Sequence, residues 1–218
     1  MAELIQGLDP EVVRGNLERV REQIRSTGRD PREVEILAAV KYLPQEELGA
    51  LKEAGVELLG ENRAQELQRK VDAYPGAFTW DFIGALQSRK VRAVLPYVRY
   101  IRSVASDSAL EQLRRHGSPR TEVLVEVNIS GEEGKSGVAP AQLDSFLERC
   151  PVRVVGLMTM PPLASDPEQS RPYFAALRER SQRHDLPQLS MGTSQDYLVA
   201  VQEGATIIRL GTTLYRRS

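Results

Sequence analysis

At 218 residues, 41% hydrophobic and 27% charged, the chain has the make-up of one ordinary globular domain. A formal net charge of -1 argues against a partner held by bulk charge, whether nucleic acid or anionic membrane. The single cysteine, Cys150, excludes an intrachain disulfide and a multi-cysteine metal site, which fits a reducing compartment.

Met1–Asp9 has no basic segment followed by an apolar core, so no signal peptide is expected. No apolar run approaches the ~18 residues of a membrane span. The expectation is a soluble, cytoplasmic protein. Both histidines, His116 and His184, sit in polar, helix-like stretches and read as solvated.

Asp9-Pro10-Glu11 starts a helix, with a capping aspartate, proline at the first helical position and an acid in the first turn. Val13, Leu17, Val20 and Ile24 give it one buried stripe, and Gly28 ends it. Ile36–Lys41 is a short apolar run that fits a strand buried on both faces, stopped by Pro44. Gln45–Ala54 reads as a helix closed by Gly55. Strands follow at Val56–Gly60, Thr79–Gly84, Val98–Val104, Thr121–Ile129, Val152–Met158, Leu189–Met191 and Thr206–Leu210. Helices alternate with them at Arg63–Ala73, Gln87–Leu95, Asp107–His116, Pro140–Arg149, Pro167–Arg183 and Gln195–Glu203. Eight strands in a βα rhythm predict an α/β fold, a parallel (β/α)8 barrel of TIM type, as one domain over residues 1–218. Gly211–Ser218 is too short for a full eighth helix, so the N-terminal helix is expected to cover the gap after the last strand.

Alternation within strands sorts their side chains onto two faces. Leu37, Ala39 and Lys41 share a face. So do Leu124, Glu126 and Asn128, and so do Ile207, Arg209 and Gly211. Lys41, Asn128 and Arg209 thereby converge on one barrel mouth, the end where such barrels bind ligands. Singly, each reads equally as a solvated loop-entry residue or a turn cap; together they favour a site.

Ser190-Met191-Gly192-Thr193-Ser194 follows the seventh strand and Arg209-Leu210-Gly211-Thr212-Thr213 the eighth. Barrels bind phosphate at this place through backbone N–H groups and hydroxyls, although serine, threonine and glycine suit ordinary caps as well. A lysine facing a phosphate subsite suggests carbonyl chemistry, since a neutral amine forms a Schiff base. Arg209 and Lys135 are the candidate cations beside it. The ligand is then a sugar phosphate or pyridoxal phosphate.

Eight blocks in one order carry a resemblance. They are Ala39-Val40-Lys41 with Pro44, Gly60-Glu61-Asn62-Arg63-Ala64-Gln65-Glu66, Trp80-Asp81-Phe82-Ile83-Gly84-Ala85-Leu86-Gln87 and Val127-Asn128-Ile129. Lys135-Ser136-Gly137, Gly156-Leu157-Met158, the run Leu189 to Asp196 and Arg209-Leu210-Gly211-Thr212 complete the series. It resembles the pyridoxal phosphate homeostasis proteins, single-domain relatives of the alanine racemase barrel, from about Val34 to Leu214. The resemblance implies that Lys41 carries pyridoxal 5'-phosphate (PLP) as an internal aldimine and that Arg209 faces the pyridine nitrogen. It implies a phosphate held by Ser190, Gly192, Ser194, Gly211 and Thr212, with Asn62 and Met158 lining the pocket. A cation at the pyridine nitrogen disfavours its protonation and makes the ring a poorer electron sink, which weakens carbanion chemistry.

The chain departs from the family pattern at Asp81, where histidine is usual after the tryptophan, and at Arg89, where asparagine is usual. Val40-Lys41-Tyr42-Leu43-Pro44 replaces a commoner serine-lysine-threonine version, and Tyr42 and Leu43 are expected to make the mouth more apolar. Related racemases carry a second domain that supplies a tyrosine base from a partner subunit. With the sequence ending at Ser218, no such domain is expected here, and Tyr97, Tyr100, Tyr173, Tyr197 and Tyr215 read mostly as packing residues. Two-base racemisation needs a group on each face of the substrate. The reading is therefore a monomer that holds PLP and buffers or delivers it, with transient contact to apo PLP enzymes. A PLP-dependent amino-acid racemase or related enzyme of weak activity is the runner-up. Arg89, Lys90 and Arg92 are a conceivable docking patch, or simply a solvated basic face.

Overall fold

A computed structural model describes residues 4–216 of the chain. Eight parallel strands close in sequential order into a barrel: β1 Glu35–Ala39, β2 Leu58–Glu61, β3 Thr79–Phe82, β4 Tyr100–Val104, β5 Glu122–Glu126, β6 Arg153–Met158, β7 Gln188–Thr193 and β8 Ile207–Leu210. Pairing of β1 with β8, with Ile36 opposite Ile208 and Leu37 opposite Arg209, makes the closure. The helices are α1 Pro10–Ser26, α2 Leu48–Glu53, α3 Ala64–Ala73, α4 Val91–Val94, α5 Asp107–His116, α6 Leu143–Arg149, α7 Arg171–Arg183, α8 Tyr197–Gln202 and α9 Thr212–Tyr215. Among the described residues, no helix is long and apolar enough to cross a membrane.

The start of α1 is set by local chemistry: the Asp9 carboxylate accepts the Glu11 amide at 3.0 Å and Pro10 occupies the first turn. Its stripe of Val13, Leu17, Val20 and Ile24 is buried. The helix packs on α9, α2 and α8. Asn16 Nδ2 donates to the carbonyls of Leu214 (3.1 Å) and Arg216 (2.9 Å), so α1 satisfies the end of the one-turn α9. The gap in the helical ring after β8 is filled from the N-terminus, as expected.

Strand alternation separates two cores. Val123, Val125, Leu59 and Ile208 face the helices in the main apolar layer, while Leu37, Leu58 and Ile207 form a smaller cluster inside the barrel. Gly60 shares that interior: a Cβ there would meet Leu37 Cδ2 and lie 2.9 Å from Ile83 Cδ1. Several strands stop earlier than their apolar runs suggest. β1 ends at Ala39 and β5 at Glu126, so Lys41 and Asn128 both lie in the turns beyond. The expected basic helix over 87–95 is broken into 3-10 turns flanking α4, and Pro96 ends it.

Candidate functional site

The carboxyl ends of the strands open into a cleft of about 430 Å³. Seven of the nine residues named from the sequence line it: Lys41, Asn62, Met158, Ser194, Arg209, Gly211 and Thr212. Lys41 lies in the turn after β1, its Nζ 4.7 Å from the centre of the Tyr42 ring, which also borders the cleft. Leu43 turns instead into the main core, 2% exposed, and adds nothing to the mouth.

Arg209 enters from β8 on the same face as Ile207 and Gly211, as alternation requires. One guanidinium nitrogen, Nη2, donates to the Thr159 carbonyl at 2.8 Å, while Nε is buried without a partner. Burial, then the nearby charge of Arg102, pushes the Arg209 pKa down to about 10. Asn62 Oδ1 is a second buried atom with no partner. The two turns named as phosphate binders meet, with the Gly211 amide donating to Ser194 Oγ at 3.4 Å, and Thr193 and Thr212 add hydroxyls beside them.

Ser190 and Gly192 lie outside the cleft lining. β7 carries one more residue than β8 between paired positions, with Ser190 opposite Ile207 and Thr193 opposite Arg209. Such a bulge reverses the alternation. Ser190 is left beneath the cleft, fully buried, its Oγ accepting from Arg102 Nη1 at 3.1 Å. Gly192 has φ +91° and backs onto α8, where a Cβ would stand 2.6 Å from Ala200 Cβ.

Asp81 does not reach the cleft either. It is fully buried inside the barrel and paired with Arg102, whose Nε donates to Oδ2 at 2.9 Å. Arg99 Nε (3.2 Å) and Nη2 (3.0 Å) and the Tyr100 amide (3.1 Å) complete its bonds, and Arg99 continues to Glu35 at 2.6 and 2.8 Å. A chain of charge thus runs from the amino-terminal rim of the barrel to just below Ser190.

Glu126 does face the cleft. Burial raises its pKa, opposed by a 3.0 Å bond from Ser136 Oγ and by the charges of Arg209 and Lys135. Asn128 only closes its own loop: its amide donates to the Glu132 carbonyl at 2.9 Å and its oxygen accepts from Ser130 Oγ and the Gly131 amide. Lys135 pairs with Glu132 at 2.6 Å rather than joining Lys41. Ile5, Ser103 and Tyr215 are cleft residues that pattern reading missed. For Tyr215 the signal was present, three residues beyond Thr212 in a one-turn helix; for Ile5 and Ser103 no local pattern marks the placement. A larger hollow of about 710 Å³ lies outside the barrel against α1 and α8, and it touches neither Lys41 nor Arg209.

A lysine turn after β1, an inward arginine on β8 and paired turns after β7 and β8 define a class of barrel. The model of the family described as alanine racemase, N-terminal domain, matches residues 9–218. An alanine racemase from Corynebacterium glutamicum superposes with a TM-score of 0.74 over 98% of this chain and 63% of its own, at 13% identity, which shows the shared fold. A "Pyridoxal phosphate homeostasis protein" of Aquifex aeolicus is 38% identical over 213 residues, 91% of this chain and 93% of that protein. PipY of Synechococcus elongatus, solved with PLP bound, is 30% identical with a TM-score of 0.78 over 94% of this chain and all of its own. The chain belongs to the pyridoxal phosphate homeostasis protein family.

Proposed function

We propose that this protein binds PLP in the cleft through a Schiff base to Lys41 and serves to buffer and deliver it within the cell. The observation that carries the reading is a pair of unsatisfied buried atoms flanking Lys41, Asn62 Oδ1 and Arg209 Nε. Buried polar atoms are almost always paired, so two orphans bordering one cleft mark groups meant for a ligand. Arg209 Nε is a donor and fits the acceptor lone pair of a pyridine nitrogen. The Asn62 amide can turn either its oxygen or its NH2 to a ring substituent. Ser194, Thr193, Thr212 and the Gly211 amide offer hydroxyls and an N–H to a phosphate. When bound, PLP supplies an aldehyde that condenses with the lysine amine and releases water.

The residues favour holding over catalysis. An arginine that is charged at neutral pH disfavours protonation of the pyridine and so weakens the ring as an electron sink. Lys41 stands beside an open mouth, where water and amines have access, which suits reversible loading better than protection of a carbanion. The relatives' shared name and PLP-bound PipY support the cofactor assignment.

Titration of the purified protein with PLP tests this. One equivalent of yellow chromophore without steady turnover of amino acids is expected. Sustained amino-acid racemisation, abolished by Lys41→Ala, would make the protein an enzyme instead.

A further inference from the structure

The turn bearing Lys41 is held by its backbone carbonyls from three directions. Tyr215 Oη donates to the Ala39 carbonyl at 3.2 Å, and the Ile5 amide donates to that of Tyr42 at 2.9 Å. The third bond comes from a buried charge: Lys70 Nζ, on α3, donates to the Val40 carbonyl at 2.7 Å. Lys70 is 1% exposed, and its other partner is the fully buried Glu61, with Nζ to Oε2 at 2.5 Å. The second oxygen of Glu61 accepts the amides of Asn62 at 2.7 Å and Arg63 at 3.0 Å.

One ion pair thus grips the residue before Lys41 and the amide of Asn62 together. Its location makes the choice of residues informative. Glu61 lies on the helix-facing side of β2, the same side as Leu59, where a parallel barrel ordinarily places an apolar residue. Apolar replacement of a buried ion pair is often neutral or stabilising, so packing alone does not explain the charge. An apolar side chain at position 70 would leave the Val40 carbonyl with only the Leu43 amide at 3.1 Å, a bond local to the turn, and one at position 61 has no acceptor for the Asn62 amide. The ammonium at the end of a four-carbon stem serves two acceptors at once, one on β2 and one in the turn after β1.

We propose that Glu61 and Lys70 are a positioning pair: they set the Lys41 turn and the Asn62 amide in register with Arg209. The proposal rests on the PLP reading for its consequence, which is a slower escape of the cofactor from a pre-set site.

The test uses the full chain in three forms: unaltered, Lys70→Met, and the double variant Glu61→Gln with Lys70→Met. In the double variant no charge is buried between β2 and α3, and the glutamine oxygen still accepts the Asn62 and Arg63 amides. Two quantities are read: hydrogen exchange of residues 38–44 without cofactor, and transfer of bound PLP to excess hydroxylamine. The double variant is expected to melt no lower than the unaltered protein. Its 38–44 segment should nevertheless exchange faster, and PLP should leave about tenfold faster, because a site that is no longer pre-set holds its ligand less well. Unaltered exchange and release in a folded double variant would overturn the proposal. If the double variant does not fold, Lys70→Arg serves: charge is kept and the donor is displaced, so release at the unaltered rate overturns the proposal. Failure of the unaltered protein to take up PLP defeats the functional reading instead, while exchange of the empty protein still judges the brace.

Discussion

Among the described residues, two ion pairs are fully buried, and they lie on opposite sides of the same sheet. Asp81–Arg102 is inside, below the cleft, and ties side chains of β3, β4 and β7 through Arg102 and Ser190. Glu61–Lys70 is outside, between β2 and α3, and ties backbone at the strand tips. The inner pair belongs to a network that includes half-buried Arg99 and exposed Glu35 at the opposite rim. The outer pair is isolated and local. Charge inside the barrel braces the barrel; charge behind the strand tips braces the turn that bears Lys41.

The largest effect should come from leaving the inner arginine without its carboxylate. Asp81→Ala strands Arg102, fully buried, and should cost about 3–5 kcal/mol in urea unfolding. Equal stability of the variant would mean that Arg102 finds another counter-charge and that the inner network is dispensable. Arg99→Ala removes a partly exposed member and leaves the Asp81–Arg102 pair intact, so about 1 kcal/mol is expected in the same measurement. A loss as large as that of Asp81→Ala would move the weight of the network to its rim.

A smaller effect, distinguished by its pH dependence, is expected at Glu126. Burial raises its pKa, so the folded protein holds this proton more tightly than the unfolded chain does. Its contribution to stability therefore falls as pH rises above the ordinary carboxylate range. Glu126→Gln removes the ionisation, and the cofactor-free variant should melt higher than the unaltered protein at neutral pH. The gap should close as pH drops to about 4, where the unfolded carboxyl also gains its proton. A gap that widens toward acid pH would contradict the raised pKa.

Much of the fold and part of the site could be read before any coordinates. A barrel buries its strands on both faces, so each apolar run marked a strand, and the period of two placed Arg209 and Glu126 on the inner side, while Lys41 reaches the cleft from the turn beyond β1. The rule fails where the strand does. β5 ends at Glu126, so Asn128, two residues on, answers to its own loop and not to the sheet. The extra residue in β7 after Ser190 sends Thr193 and Ser194 to the cleft and leaves Ser190 beneath it on Arg102. Neither a strand end nor a bulge leaves a mark in hydrophobic alternation. Lys70 was hidden for another reason: on a helix a lone lysine reads as solvated, and only the closed barrel shows that its amine ends on the Val40 carbonyl. Asp81 read as a departure from the family pattern, and it is accounted for by Arg102, which lies 21 positions further along the chain.

The central claim is that Lys41 is the residue that holds PLP. Loading the protein with PLP, reducing it with borohydride and mapping the modified peptide tests it most directly. One modified residue is expected, Lys41, with no modification in Lys41→Ala. Reduced cofactor on another lysine, or none at all on a protein saturated with PLP, would contradict it.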